Sequence, residues 1–259
     1  MPYTISHTAA VLPFSRYLAR YRVLSAAVIG SMVPDFGYLL PWRFARFQTH
    51  SAIALATFCL PVGLATYWFF QFLLKRALLE LLPDGAYLRS RPSARAANIA
   101  SLAAWLAAAA GILVGAVTHL VWDGFTHENA RGVRMIPALN DTVADIAGHH
   151  LLAYKLMQQG SSVAGLAIAA WIAWRALRGP AAQPPGKRAI GRYERKAWLL
   201  AYALAALFAG GAALVIRRDP GGFGITAVAT DIGIAILRGM AISLVAVTLC
   251  LDVRLRARR

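Results

Sequence analysis

His119, Asp123 and His127 stand four residues apart at the end of a run that begins as an apolar helix at Gly111. On a helix, residues four apart lie one above another, so these three side chains share one face. Two imidazoles and a carboxylate on one face, at the end of a membrane-grade helix, predict a metal site. Eight residues of helix rise about 12 Å, whereas a zinc ligand lies roughly 2 Å from its ion. One ion therefore cannot hold both ends of the row. Either His119 and Asp123 share an ion and His127 stays free, or Asp123 lies between two ions about 3.5–4 Å apart.

The elements that must position these residues are membrane helices. Of 259 residues, 59% are hydrophobic and 15% charged, with mean hydropathy +0.55. Soluble domains average about 45–50% apolar and 25% charged. Apolar runs near 20 residues recur, which predicts an all-α, polytopic helical membrane bundle. The short runs 7–19 and 22–33 predict an N-terminal short-helix hairpin, with Ser6 capping the first helix and Pro34 ending the second. Longer spans are expected at 52–74, 97–122, 160–177, 197–216 and 225–250. A short helix is expected near 143–158. The organisation reads as a metal-site membrane domain over 1–177, a basic linker over 178–196, and a C-terminal two-helix hairpin with basic tail over 197–259.

The net charge is +16, from 27 basic and 11 acidic residues. No nucleic-acid partner is expected, because the basic residues sit between apolar runs, as positive-inside topology and anionic lipid contact require, and no recognition motif accompanies them. The segments 16–22, 75–96, 175–196 and the C-terminal tail hold 19 basic residues; 41–50, 123–159 and 217–224 hold 7. The first group is expected in the cytoplasm and the second outside. Cys59 and Cys250 fall in apolar runs and predict no disulfide framework. The opening residues lack the basic region of a cleavable signal. Asp231 and Arg238, seven apart on the last span, are expected to pair.

With this topology Asp35, His50, His119 and Asp123 meet on one membrane face, and a hairpin over 7–33 adds His7. Each residue alone has a simpler reading: a tail histidine at His7, a turn carboxylate at Asp35, a helix cap at His50, a buried hydrogen-bonded pair at His119 and Asp123. Their convergence near hydrocarbon, where charge is costly, favours metal. His150, beside His149 on the expected short helix, is an interfacial residue or a further ligand.

The opening Met-Pro-Tyr-Thr-Ile-Ser-His-Thr-Ala-Ala-Val-Leu-Pro, the Ser-Met-Val-Pro-Asp-Phe at 31–36, the Thr-His-Ser at 49–51 and the His-Leu-Val-Trp-Asp-Gly-Phe-Thr-His at 119–127 resemble a bacterial family of uncharacterised membrane proteins over roughly residues 1–165. Their order is similar to that of membrane-bound metal-dependent hydrolases and, more remotely, zinc-dependent phospholipase C and related nucleases. That resemblance implies zinc, one to three ions. Asp35, His50, His119 and Asp123 would surround one, His7 and Asp123 would hold a second, and His127 with His149 or His150 a third. The chain departs from the pattern twice. Met1 and Pro2 precede His7 by several residues, where the soluble enzymes use a free terminal amine. Ala153 and Tyr154 stand where a glutamate would follow His149 or His150.

The expectation is an integral-membrane hydrolase using zinc or another divalent metal, with Asp35 and Asp123 as its catalytic carboxylates. Its substrate is expected to be a lipid or lipid-linked phosphoester, and its other partners membrane lipids. The expected place is the bacterial cytoplasmic membrane, with the site facing the exterior. A metal transporter or metallochaperone is the competing class, and would require polar residues through the midplane; the runs 52–74 and 160–177 are almost devoid of them. A non-enzymatic protein with a structural metal is the third.

Overall fold

The computed structural model describes residues 4–40, 44–90, 101–146, 149–178, 188–216 and 225–257, with side chains of 146, 149, 213–216 and 225–231 left out of the description. Among the described residues the fold is all-α apart from one two-stranded hairpin. Among the described residues, four helices are long and apolar enough to cross a membrane: Ala52–Leu81, Leu102–Thr126, Ala153–Arg178 and the Ile232–Ala257 part of the last helix. The helix Arg192–Ile216 also forms but is not among those four. Residues 179–187 of the expected linker 178–196 lie outside the described residues, whereas 192–196 already belong to the helix Arg192–Ile216; the connector 217–222 and the Asp231 side chain expected to pair with Arg238 also lie outside.

The chain divides into two compact units. The first comprises Met1–Gly37, Trp42–Tyr67 and Ile99–Ala173. It opens with a 3-10 turn, Thr4–Ala10, then helices α1 (Ser15–Arg20) and α2 (Leu24–Gly30) and a second 3-10 turn, Val33–Tyr38. These form the N-terminal hairpin. Its first half is more broken than the apolar run suggests: Pro13 interrupts the backbone hydrogen bonding before α1, and Ser6 lies inside the first turn, buried, instead of capping it. Arg22 turns the chain between α1 and α2 in the left-handed region, at φ 58°.

A short helix, α3 (Arg46–Thr49), precedes α4 (Ala52–Leu81), whose start is capped by the Ser51 hydroxyl accepting from the Ala54 amide. Pro61 cannot donate within α4, and the helix widens to π geometry over Leu55–Cys59 just before it. After α5 (Asp84–Ser90) comes α6 (Leu102–Thr126), capped by Ser101. This helix packs against α2 through glycines: a Cβ on Gly30 would stand 2.2 Å from the Ile112 carbonyl oxygen, and one on Gly115 2.1 Å from that of Ala27. Small residues let membrane helices approach this closely. The contact sets Ser31 and Asp35, just past α2, beside His119 on α6.

Helix α7 (Arg131–Met135) follows α6. The expected helix near 143–158 is corrected by the structure. Residues 142–152 form an antiparallel hairpin, β1 (Thr142–Ile146) with β2 (His149–Leu152), and helix begins only at α8 (Ala153–Arg178). Thr142, Val143 and Ile146 are β-branched and favour the strand.

The second unit comprises Tyr38–Pro41, Trp68–Asn98 and Trp174–Arg259. Here α9 (Arg192–Ile216) packs on α10 (Ile225–Ala257); a Cβ on Gly239 would stand 2.4 Å from the Gly210 nitrogen. Leu251 and Leu255 of α10 meet Ala77 and Ile190 in a fully buried cluster. Arg238 donates to the carbonyls of Tyr38 (2.6 Å) and Leu40 (3.1 Å). Asp84 accepts from Arg195 at 2.6 Å and also from Arg188.

Candidate metal centre

Histidine and aspartate side chains from separate parts of the first unit meet here: His7, His50, His119 and His127 each place a ring nitrogen 3.3–3.7 Å from an Asp123 oxygen, and Asp35 lies against His50 and His119. His119 and Asp123 come from the last turns of α6, where they are 0% and 2% exposed. Nδ1 of His119 lies 2.7 Å from the Ser31 carbonyl oxygen. A carbonyl only accepts, so that nitrogen carries the proton and Nε2 presents its lone pair to the centre. The 3-10 turn after Pro34 brings in Asp35, 1% exposed. His50 follows α3, and its Nδ1 lies 2.7 Å from the Thr49 hydroxyl. With Nδ1 as donor to that hydroxyl, Nε2 faces Asp35.

Four donor atoms then stand close together. Oδ1 of Asp35 is 3.1 Å from His50 Nε2 and 3.4 Å from His119 Nε2. Oδ2 of Asp123 is 3.5 Å from His50 Nε2 and 3.7 Å from His119 Nε2. An ion with four tetrahedral bonds of about 2.0–2.1 Å separates its ligand atoms by about 3.3–3.4 Å. These four separations bracket that value, and Asp35, His50 and His119 together form a set of donors able to share one ion.

A second group forms on the other oxygen of Asp123. Oδ1 lies 3.3 Å from His127 Nδ1 and 3.6 Å from His7 Nε2. His7 reaches it because Gly165 of α8 admits the Ser6 backbone; a Cβ there would stand 2.7 Å from the Ser6 carbonyl oxygen. The His7 ring stacks on His119 at 3.7 Å and meets Trp122 edge-on at 5.3 Å. Trp122 is itself fixed by its indole N–H donating to Ser161 at 3.0 Å. His7, His119 and Asp123 form one set of donors able to hold an ion, and Asp35, His50 and His119 another. The two sets share His119, while the two oxygens of Asp123 face different imidazoles.

The residues fit a cation by a further test. His7 Nδ1, Asp35 Oδ2, His119 Nε2 and Asp123 Oδ1 are buried polar atoms with no hydrogen-bond partner. Buried polar atoms are normally satisfied. Two of them, His119 Nε2 and Asp123 Oδ1, are atoms of the donor groups described above, and an unpartnered buried donor is what a metal ligand presents to its ion. Burial raises the Asp35 carboxyl, but the imidazoles of His119 and His50 outweigh it and hold Asp35 well below the usual carboxylate range. Burial pushes the His7 imidazole down to about 4, with His119 adding to the effect. Burial likewise pushes His127 down to about 4. Both are therefore neutral, in the form that binds metal, at neutral pH.

Three neighbours were not singled out by sequence. Arg46 Nη2 donates to Asp123 Oδ2 at 3.0 Å. Arg46 stands four residues before His50, a spacing that places the two on neighbouring helical positions. Thr49 supports His50 as described. Gln158 of α8 lies 2.8 Å from His127, nitrogen to nitrogen. With the amide as donor the His127 proton sits on Nδ1; the reversed amide frees Nδ1 as a ligand atom, since amide orientation is an assignment. His150 is not brought to the centre. It lies on β2 with its side chain 73% exposed, hydrogen-bonded to Asp145 across the hairpin. The His149 side chain lies outside the described residues.

Comparison with curated proteins finds no match, and comparison with solved structures finds none either. The sequence model of the family described as a domain of unknown function, DUF4184, matches residues 1–249, and the chain belongs to that family.

Proposed function

We propose that the protein is an integral-membrane, metal-dependent hydrolase of phosphoesters at the membrane surface, with zinc as its metal. One observation carries this reading: Asp35, His50 and His119 form one set of donor atoms able to hold an ion, His7, His119 and Asp123 form another, and the two oxygens of Asp123 face different imidazoles. Four protein donors close a zinc site, whereas fewer leave a position for water or substrate. Asp35, His50 and His119 form one set of three donors and His7, His119 and Asp123 another, so an ion in either keeps a position for water or substrate. Zinc bound there supplies an acidified water and stabilises charge on a phosphoryl oxygen.

The chain's own residues do the rest. Asp35 and Asp123 bring negative charge that offsets the ions in a poorly hydrated place. Ser31 and Thr49 fix which nitrogen of His119 and His50 faces inward. Arg46 brings a guanidinium beside Asp123 that suits an anionic substrate.

The proposed location is the bacterial cytoplasmic membrane, with the centre facing the exterior. The 19-to-7 distribution of basic residues supports it. The deciding experiment is elemental analysis of the purified protein, followed by a panel of phosphodiesters and phospholipids. Bound zinc with hydrolysis that a chelator removes is expected. Metal-free protein from zinc-replete cells, unable to take up zinc on addition, sinks the reading.

A further inference from the structure

A cavity of about 600 Å3 opens beside the centre. That size lies within the roughly 300–1,000 Å3 usual for ligand pockets. Arg46, His50 and Asp123 form its polar end. Leu55 of α4 and Leu120 and Val121 of α6 belong to its apolar walls. Both helices are among the four able to cross a membrane.

We propose that this cavity holds the alkyl chain of an amphiphilic phosphoester whose phosphate rests at Arg46. The proposal rests on the hydrolase reading for where the reacting phosphate lies, and adds what the rest of the substrate is. Three observations carry it. The polar end is cationic: Arg46 uses one N–H on Asp123, and a guanidinium has five. A second arginine, Arg131, lines the same cavity, and both suit a phosphate. The walls are apolar, and a free phosphate or a sugar phosphate gains nothing from them, whereas an alkyl chain does. Finally, Gly124 lines the cavity next to Asp123, and a Cβ built there meets nothing within 4 Å. Elsewhere on α6, Gly111 and Gly115 are needed for close helix contact. At Gly124 the missing side chain leaves space for a ligand.

The test uses the full chain in amphipol, loaded with zinc, and two probes, inorganic phosphate and hexyl phosphate, with amphipol alone subtracted. Zinc content is measured on every sample. Wild type should bind hexyl phosphate at least tenfold more tightly than inorganic phosphate. Gly124→Ala should narrow that preference and Gly124→Leu abolish it, with zinc content unchanged, because the added atoms enter open space. Arg46→Gln should weaken both probes about tenfold, again with zinc retained. Equal affinity of wild type for the two probes, or a Gly124→Leu protein that keeps the preference, overturns the proposal while leaving the metal reading intact. Wild type that takes up no zinc ends the metal reading alone; the chain preference and its loss at Gly124 are still read on the same samples.

Discussion

The imidazole of His119 is held by a backbone atom of another helix: its Nδ1 lies 2.7 Å from the carbonyl oxygen of Ser31. The orientation of this ligand therefore depends on how closely α2 approaches α6. That approach is set by Gly30 and Gly115, not by the ligands.

Gly115→Ala should thus disturb the centre without touching it. A Cβ there would stand 2.1 Å from the Ala27 carbonyl oxygen and 2.5 Å from the Ser31 amide nitrogen, both backbone, so α2 must shift. Overpacking of this kind costs about 1–3 kcal/mol. The expected result is a lower unfolding temperature together with reduced zinc occupancy. Full occupancy with a lower unfolding temperature would show that the centre does not depend on this helix contact.

Thr49→Val keeps the shape of the side chain and removes the hydroxyl beside His50 Nδ1. Loss of such a supporting hydrogen bond typically lowers metal affinity about 10–100-fold. Competition with a zinc chelator should show a drop of that order in Thr49→Val. Unchanged affinity would mean that His50 is oriented by packing alone.

The spacing of His119, Asp123 and His127 was legible because a helix has a fixed period, and His7 and Asp35 joined them because topology alone sends both ends of a hairpin to one side. Arg46 was not legible. Sequence gives arginine near a span a ready reading as topogenic charge, and only the fold puts it 3.0 Å from Asp123. His150 was misplaced for a different reason. Leu151 and Leu152 continue into the apolar run of α8, so the two-residue alternation of β2 was too short to stand out from the helix that follows it.

The lowered values of His7 and His127 bear on pH. The neutral imidazole is the ligand form, and protons compete with metal only below its titration midpoint. An ordinary histidine titrates near 6.5 and would lose about tenfold in apparent affinity at pH 5.5. With midpoints of about 4, His7 and His127 should stay neutral at that pH. Nitrogen-15 spectra of the metal-free protein should show both rings uncharged at pH 5.5. Charged rings there would contradict the burial that sets these values.

The charge distribution is tested by labelling from outside whole cells. In a background lacking Cys59 and Cys250, a cysteine replacing Asn140 should react with an impermeant maleimide and one replacing Gln183 should not. The opposite pattern would turn the protein over in the membrane and place the centre on the cytoplasmic side.

Asp123 is the residue whose loss should do most. Its two oxygens face different groups, Oδ2 toward His50 and His119 and Oδ1 toward His7 and His127. No single imidazole nitrogen can serve two ions. Asp123→Asn preserves the shape but removes the charge that both groups share, and its amide nitrogen cannot coordinate. It should lose nearly all bound zinc while keeping its extraction yield and helix content, since the apolar faces of α6 are unchanged. His127→Ala is the informative comparison. The helix runs through Gly124 to Thr126, so His127 is held 3.3 Å from Oδ1 instead of drifting into a loop. Its removal touches only the Oδ1 side, and Asp35, His50 and His119 remain. His127→Ala should therefore keep one tightly held ion per chain and lose hydrolytic activity. Zinc counted per protein in the two variants and wild type decides the matter: wild-type zinc in Asp123→Asn, or an empty site in His127→Ala, would show that Asp123 does not link the two groups.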